Sequence, residues 1–136
     1  MPTLHSATFD AVPFLCALDG DRATFVEFSR GFLADFPDAL SSIYAAAEAR
    51  DPGALGDRVH ALRGSLAIFH AHPMLHELEA IERVCHTRPT AVSVDLMRTL
   101  AVPADVFHKE LTTLCDRLAA NGGETGDITA KEGNSR

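Results

Sequence analysis

The helical run from Pro52 to Ala71 constrains the fold of this chain more than any other stretch. On a helix of about 3.6 residues per turn, its large apolar residues fall within a stripe roughly 80° wide. These residues are Leu55, Val59, Leu62, Leu66 and Phe69. The stripe predicts a helix that packs one side against a hydrophobic core.

The opposite side of this helix carries one histidine among very small residues. His60 lies roughly 140° from the centre of the apolar stripe, on the solvent side. Gly56 precedes it by one turn, and Gly64 and Ala67 follow it by one and two turns. Each glycine inside a helix costs about 1 kcal/mol relative to alanine, so folding alone does not account for this surface.

We therefore expect another molecule to approach the imidazole closely. Arg63 flanks the histidine and is placed to meet negative charge, and Ile68 is expected to add exposed apolar area nearby. An ordinary surface histidine, on a helix that happens to carry two glycines, is the alternative.

Helical segments separated by short breaks make up the rest of the chain. Phe25, Phe28, Phe32 and Phe36 recur at helical spacing and predict core packing, while a ring at the edge of this stripe is a candidate for docking. The predicted segments are 9–18, 21–36, 37–50, 52–71, 73–87 and 93–121.

Proline and aspartate set the expected boundaries of these segments. Pro37 is expected to start a new helix, and Asp51 is the expected N-cap of the helix that carries His60. Pro103 interrupts the last segment, which is either one kinked helix or two stacked ones, and Gly122 and Gly123 are expected to end it.

These segments predict an all-α fold. The last four segments are expected to form an antiparallel four-helix bundle, with the first two helices packed on one end. The bundle domain is expected over 1–121, followed by a disordered tail over 122–136 that is polar and poor in apolar residues.

Composition excludes several classes of function. A chain of 136 residues with 46% hydrophobic and 23% charged residues predicts one globular domain. It has no apolar run of roughly 18 residues and no secretory signal at its start, so we expect a cytoplasmic protein without a membrane span. The net charge of −7 argues against a nucleic-acid surface.

Cysteine and histidine patterns suggest no metal site. Cys16, Cys85 and Cys115 are odd in number and lie in apolar helical patterns, which predicts buried reduced thiols. His72 and His76 are four apart, as in some helical zinc sites, but Pro73 lies between them and no further ligand is obvious. We therefore predict no bound metal.

The spacing His60-x-Leu62-Arg63-Gly64-Ser65, followed by Glu82, resembles the signature of the histidine-containing phosphotransfer (HPt) domain of bacterial phosphorelays. The similarity starts near the turn at Asp19-Gly20 and reaches Glu82. It implies that His60 accepts a phosphoryl group from a receiver-domain aspartate and passes it to another receiver.

Three residues near His60 also have expected roles. Glu82 would accept the Nδ1 proton and leave Nε2 free, unless it is simply a solvated surface glutamate. Arg63, where the family more often has lysine, would help neutralise the phosphoryl group. Gly64 would leave clearance for the partner.

Partners follow from the same resemblance. Receiver domains of response regulators or a hybrid histidine kinase would supply the catalytic aspartate and Mg²⁺, so no cofactor is expected on this chain. The chain shows no kinase or ATP site and would be a phosphocarrier, expected as a monomer. The alternative is a module of this fold that binds receivers or other signalling proteins without being phosphorylated.

Two positions depart from the family pattern. His70 stands ten residues after His60, where the family usually has glycine. His86 follows Glu82 by one turn, at a position that helps to bind phosphate in some members.

Overall fold

The computed structural model describes residues 4, 6 and 8–125 and consists mainly of α-helices. The helices are α1 (Val12–Ala17), α2 (Arg22–Glu48), α3 (Pro52–Ala67), α4 (His72–Thr87) and α5 (Ala101–Thr125). Two 3₁₀ turns, Pro89–Ala91 and Val94–Met97, join α4 to α5. The predicted helical bundle is confirmed, with α2 to α5 as its four long helices. Across the described residues, no helix is both long and apolar enough to cross a membrane.

Side-chain caps start the first two long helices. Asp21 Oδ1 accepts a hydrogen bond from the Thr24 backbone N–H at 3.2 Å, and Asp51 Oδ1 accepts one from Ala54 N–H at 3.1 Å. Each bond satisfies a donor that the helix itself leaves unpaired. The predicted role of Asp51 is confirmed, and it fixes where the helix that carries His60 begins.

The prediction that Pro37 starts a new helix is wrong. Pro37 lies inside α2, which runs without a break from Arg22 to Glu48. A proline inside a helix costs about 3 kcal/mol, because one hydrogen bond is lost and the ring meets a carbonyl. Buried Phe36 and Ile43, about two turns apart, lie on either side of Pro37 and keep the same face of α2 in the core. The first helix of the bundle therefore begins near Arg22.

Phenylalanine rings form the part of the core that anchors the end of α3. Phe69, which follows α3, is fully buried, and its ring centre lies 5.2 Å from that of Phe32 and 5.9 Å from that of Phe107. Every member of the predicted apolar stripe on this helix is buried. Phe28 instead leaves 48% of its surface exposed and is the ring at the edge of the aromatic stripe.

The turn after α3 differs from the expected continuous run to Ala71. The helix ends at Ala67, and His70 in the turn has a φ of 49°. This is the left-handed region, which residues with a Cβ adopt at a cost and glycine adopts freely. The conformation accounts for the glycine that the HPt pattern usually has at this place.

The C-terminal helix is also longer than expected. Pro103 lies in its first turns without interrupting it, and the helix passes Gly122 and Gly123 to end at Thr125, so the predicted end at these glycines is wrong. The rest of the predicted tail, 126–136, lies outside the described residues, and the domain boundary at 121 stays a prediction.

The cysteines are free thiols in two different environments. Cys85 and Cys115 are buried, as predicted, whereas Cys16 is exposed. Cys16 lies on the outer side of the short helix α1, where only one side is covered by the bundle.

Candidate functional site

His60 stands on the outer side of α3, where 72% of its side chain is exposed. The neighbouring turns of the helix hold it there, because Val59 and Leu62 are buried in the core on the opposite side. The solvent position predicted for His60 is confirmed.

Glu82 reaches His60 from the adjoining helix α4. Its Oε2 lies 3.1 Å from Nδ1 of the imidazole, and only 16% of the glutamate side chain is exposed. The expected contact between the two residues is therefore present, and Glu82 is not a freely solvated surface residue. No other described residue makes a hydrogen bond to the imidazole, so Nε2 is left open to solvent.

The charge of Glu82 determines which nitrogen carries the proton. Burial raises the pKa of Glu82, but the hydrogen bond and charge of Arg63, together with His60, outweigh burial and hold the pKa below its ordinary value. An ionised carboxylate can only accept hydrogen bonds. Nδ1 must therefore donate, and in the neutral ring the lone pair lies on Nε2.

Arg63 binds the same carboxylate from the α3 side. Its Nη1 donates to Oε1 of Glu82, and its Nη2 lies 3.6 Å from Oε2 of Glu79. The two terminal nitrogens of the guanidinium thus each face a carboxylate of α4. Glu79 was missed by sequence reasoning, although a helical wheel places it on the same side of α4 as Glu82, one turn earlier.

Small residues surround the imidazole on α3, but one of them has a different role. Gly64 and Ala67 are exposed, and a Cβ added at Gly64 would meet nothing within 4 Å. Gly56, expected on the open surface, is buried against α4, where an added Cβ would lie 3.6 Å from Cβ of Cys85. It allows the two helices to approach closely. Ile68 is also more buried than expected, because it packs partly against the core.

A cavity of about 380 Å³ opens beside the imidazole between α3 and α4. His60, Glu82, Asp57 and His86 all line it. Cys85 also borders it, and burial, together with the charge of Glu82, raises the pKa of this thiol, which favours its protonated form. The cavity leaves room for a group attached to the imidazole.

The other histidines that the structure describes do not form a cluster suited to a metal. The rings of His70 and His72 lie 5.8 Å apart between centres, in an edge-to-face arrangement. Within the described residues, no group of three or more His, Cys, Asp or Glu side chains is placed to hold a metal ion.

Fold and site together define a helical-bundle protein that presents His60 on its surface and holds it through a carboxylate of the next helix. The family model described as the Hpt domain matches residues 27–121, which include every residue of this site. The chain therefore belongs to the Hpt domain family. Comparison with curated proteins and with solved structures gave no match.

Proposed function

We propose that this protein is a phosphocarrier in which His60 accepts a phosphoryl group from a receiver-domain aspartate and passes it to a second receiver. The observation that carries the proposal is the 3.1 Å contact of Glu82 with Nδ1, which leaves an exposed Nε2 as the nucleophile. Membership of the Hpt domain family supports the same role. We place the exchange in the cytoplasm, between receivers of response regulators or a hybrid histidine kinase.

The transfer step needs only one nucleophilic nitrogen from this chain. The lone pair of His60 Nε2 attacks phosphorus in the aspartyl phosphate, and an N–P bond forms as the P–O bond to the aspartate breaks. The electron pair of the broken bond returns to the aspartate as a carboxylate. The reverse step uses the same atoms, so His60 can also donate to a second receiver.

Glu82 acts on the charge that this step creates. The imidazole keeps its Nδ1 proton, and it gains positive charge as Nε2 bonds to phosphorus. A carboxylate at 3.1 Å stabilises that charge and holds the ring in one orientation. Mg²⁺ and the catalytic aspartate belong to the receiver in this proposal.

The surface around His60 fits a docking partner that must come close to Nε2. Gly64 and Ala67 leave the imidazole standing above the helix. We also assign Phe28 to the docking surface, because it is 48% exposed and its ring lies 6.4 Å from that of Phe69, just beyond the end of α3. An exposed aromatic ring is typical of a protein-binding surface.

The experiment is transfer from a receiver that carries a radiolabelled aspartyl phosphate. We expect label on the wild-type chain that is lost in acid and kept in alkali, as a phosphohistidine requires, and none on His60→Gln. His76→Gln removes another exposed histidine, on α4, and should be labelled like the wild type.

Two results would contradict the proposal. Label that persists on His60→Gln would place the phosphoryl group elsewhere. Binding of the receiver by both wild type and His60→Gln, with no label on either, would instead support a module that docks receivers without being phosphorylated.

A further inference from the structure

Arg63 is held between two carboxylates and does not stand free beside the imidazole. Nη1 donates to Oε1 of Glu82 and Nη2 lies 3.6 Å from Oε2 of Glu79, with 30% of the arginine side chain exposed. A phosphoryl group on Nε2 would have to compete with both carboxylates for this guanidinium.

The two oxygens of Glu82 have separate partners. Oε2 faces His60 Nδ1 and Oε1 accepts from Arg63. The terminal torsion angle of a glutamate side chain has a broad distribution of preferred values, so one hydrogen bond does not fix the plane of the carboxylate. A second bond, on the other oxygen, removes that freedom and aims Oε2 at the imidazole.

Glu79 adds a second, longer contact to the guanidinium. Its Oε2 lies 3.6 Å from Nη2 while Glu82 accepts a hydrogen bond from Nη1, so the charges of two acids about one turn apart on α4 favour one orientation of the arginine head group. The chain of contacts runs from Glu79 through Arg63 and Glu82 to Nδ1 of His60.

From this chain of contacts we infer that Arg63 is a positioning residue, which sets the tautomer and orientation of His60 through Glu82, and not a ligand of the transferred phosphoryl group. The expected effect of Arg63 on transfer rests on the proposed function. The expected effect of Arg63 on the imidazole does not, because it exists before any phosphorylation.

The two roles of Arg63 predict opposite effects for Glu79→Gln. If Arg63 positions Glu82, loss of the Glu79 charge loosens the arrangement and slows transfer. If Arg63 binds the phosphoryl group, the same change frees the guanidinium and speeds transfer or lengthens the life of the phosphohistidine. Glu79 is half exposed, so the variant is expected to fold normally.

The experiment begins with ¹⁵N NMR of the His60 ring nitrogens in the unphosphorylated protein. We expect the Nδ1–H tautomer to predominate in the wild type and its share to fall in Arg63→Gln, with a smaller fall in Glu79→Gln. Arg63→Lys keeps the charge but lacks the two parallel N–H donors of a guanidinium. The share of the Nδ1–H tautomer in this variant should therefore lie between those of Arg63→Gln and the wild type.

Transfer from phosphorylated receiver is then measured with the same proteins. We expect Arg63→Gln to be about tenfold slower, which is the lower end of the loss seen when an outer hydrogen-bond partner of a metal-ligating histidine is removed. Glu79→Gln should be slower by a smaller factor.

An unchanged tautomer in Arg63→Gln, or faster transfer by Glu79→Gln, would overturn the inference. These results differ from failure of the proposed function, because the tautomer is read without any phosphoryl transfer. Circular dichroism shows whether each variant is folded, and if Arg63→Gln is not, Glu79→Gln alone decides between the two roles.

Discussion

Two solvent-facing helix surfaces of this bundle are built in opposite ways. The outer side of α5 carries long charged side chains, such as Lys109, whose Nζ lies 3.0 Å from Oδ2 of Asp105. The outer side of α3 carries His60 with exposed Gly64 and Ala67 after it, and a Cβ added at Gly64 would meet no described atom within 4 Å. Both surfaces face water, so exposure alone does not explain the contrast.

The contrast shows that the outer side of α3 has small residues although they lower the stability of the helix. Charged helix formers like those of α5 are neutral or favourable on an exposed helix. Glycine inside α3 costs about 1 kcal/mol relative to alanine, yet a side chain at Gly64 would meet no neighbour. Gly31 of α2 has the same open space, so what distinguishes Gly64 is its place one turn from His60, where we expect a partner.

The largest effect is expected when α3 is made to resemble α5. In Gly64→Gln a side chain stands one turn from His60 and keeps the receiver away, so we expect transfer to fall about 100-fold, as misplacement of reacting atoms by about 1 Å can do. Transfer from phosphorylated receiver measures it. Ala119→Gln adds the same bulk to the exposed side of α5 and should leave the rate unchanged. Equal rates for Gly64→Gln and wild type would show that the partner does not approach across Gly64.

Phe28 tests how far the docking surface extends beyond α3. In Phe28→Ser the exposed half of an aromatic ring is lost, and we expect the Kd for the receiver to rise about fivefold, the effect of an interface residue worth about 1 kcal/mol. Titration calorimetry with the unphosphorylated receiver measures this Kd. An unchanged Kd would confine the docking surface to α3.

Gly64→Ala is expected to have opposite effects on the stability of the protein and on the rate of transfer. The methyl group has open space, so we expect the free energy of unfolding to rise by about 1 kcal/mol while transfer slows. Urea denaturation measures the first effect. Gly31→Ala in α2, where a Cβ also meets nothing within 4 Å, should give the same gain in stability. A gain at Gly31 without one at Gly64 would mean that Gly64 is not in open space.

The smallest effect is expected on α5 itself. Lys109→Ala breaks an ion pair whose side chains are 73% and 63% exposed, so the free energy of unfolding should change by less than about 0.5 kcal/mol. Transfer should be the same as in the wild type. A large loss of transfer in this variant would show that α5 also contributes to docking, and the contrast between the two surfaces would fail.

Helical periodicity was enough to predict the bundle and the side of α3 on which His60 lies. The predicted helix boundary at Pro37 was wrong, because local propensity favoured a break there while buried residues on both sides of Pro37 kept α2 as one continuous helix. The spacing of Phe36 and Ile43, about two turns apart, already contained that signal.

The details of the site depend on packing between helices. Gly56 lies within 40° of His60 on a helical wheel, and only the position of α4 decides that it is buried while His60 is exposed. The pairing of Arg63 with Glu79 likewise depends on the distance between two helices, which a single sequence does not contain. The pairing of Glu82 with His60 was predictable because the HPt pattern places a hydrogen-bond acceptor there.

His60 and Glu82 are only 22 positions apart in the chain, and the short turn over 68–71 separates α3 from α4. The entropy lost on closing a loop grows with its length, and this loop contains little more than the two helices themselves. The connection from Thr87 to Ala101 lies outside the loop. Residues inserted into that connection would leave the closure entropy of the pair unchanged, so the geometry of the His60–Glu82 pair can be kept while the chain beyond α4 varies in length.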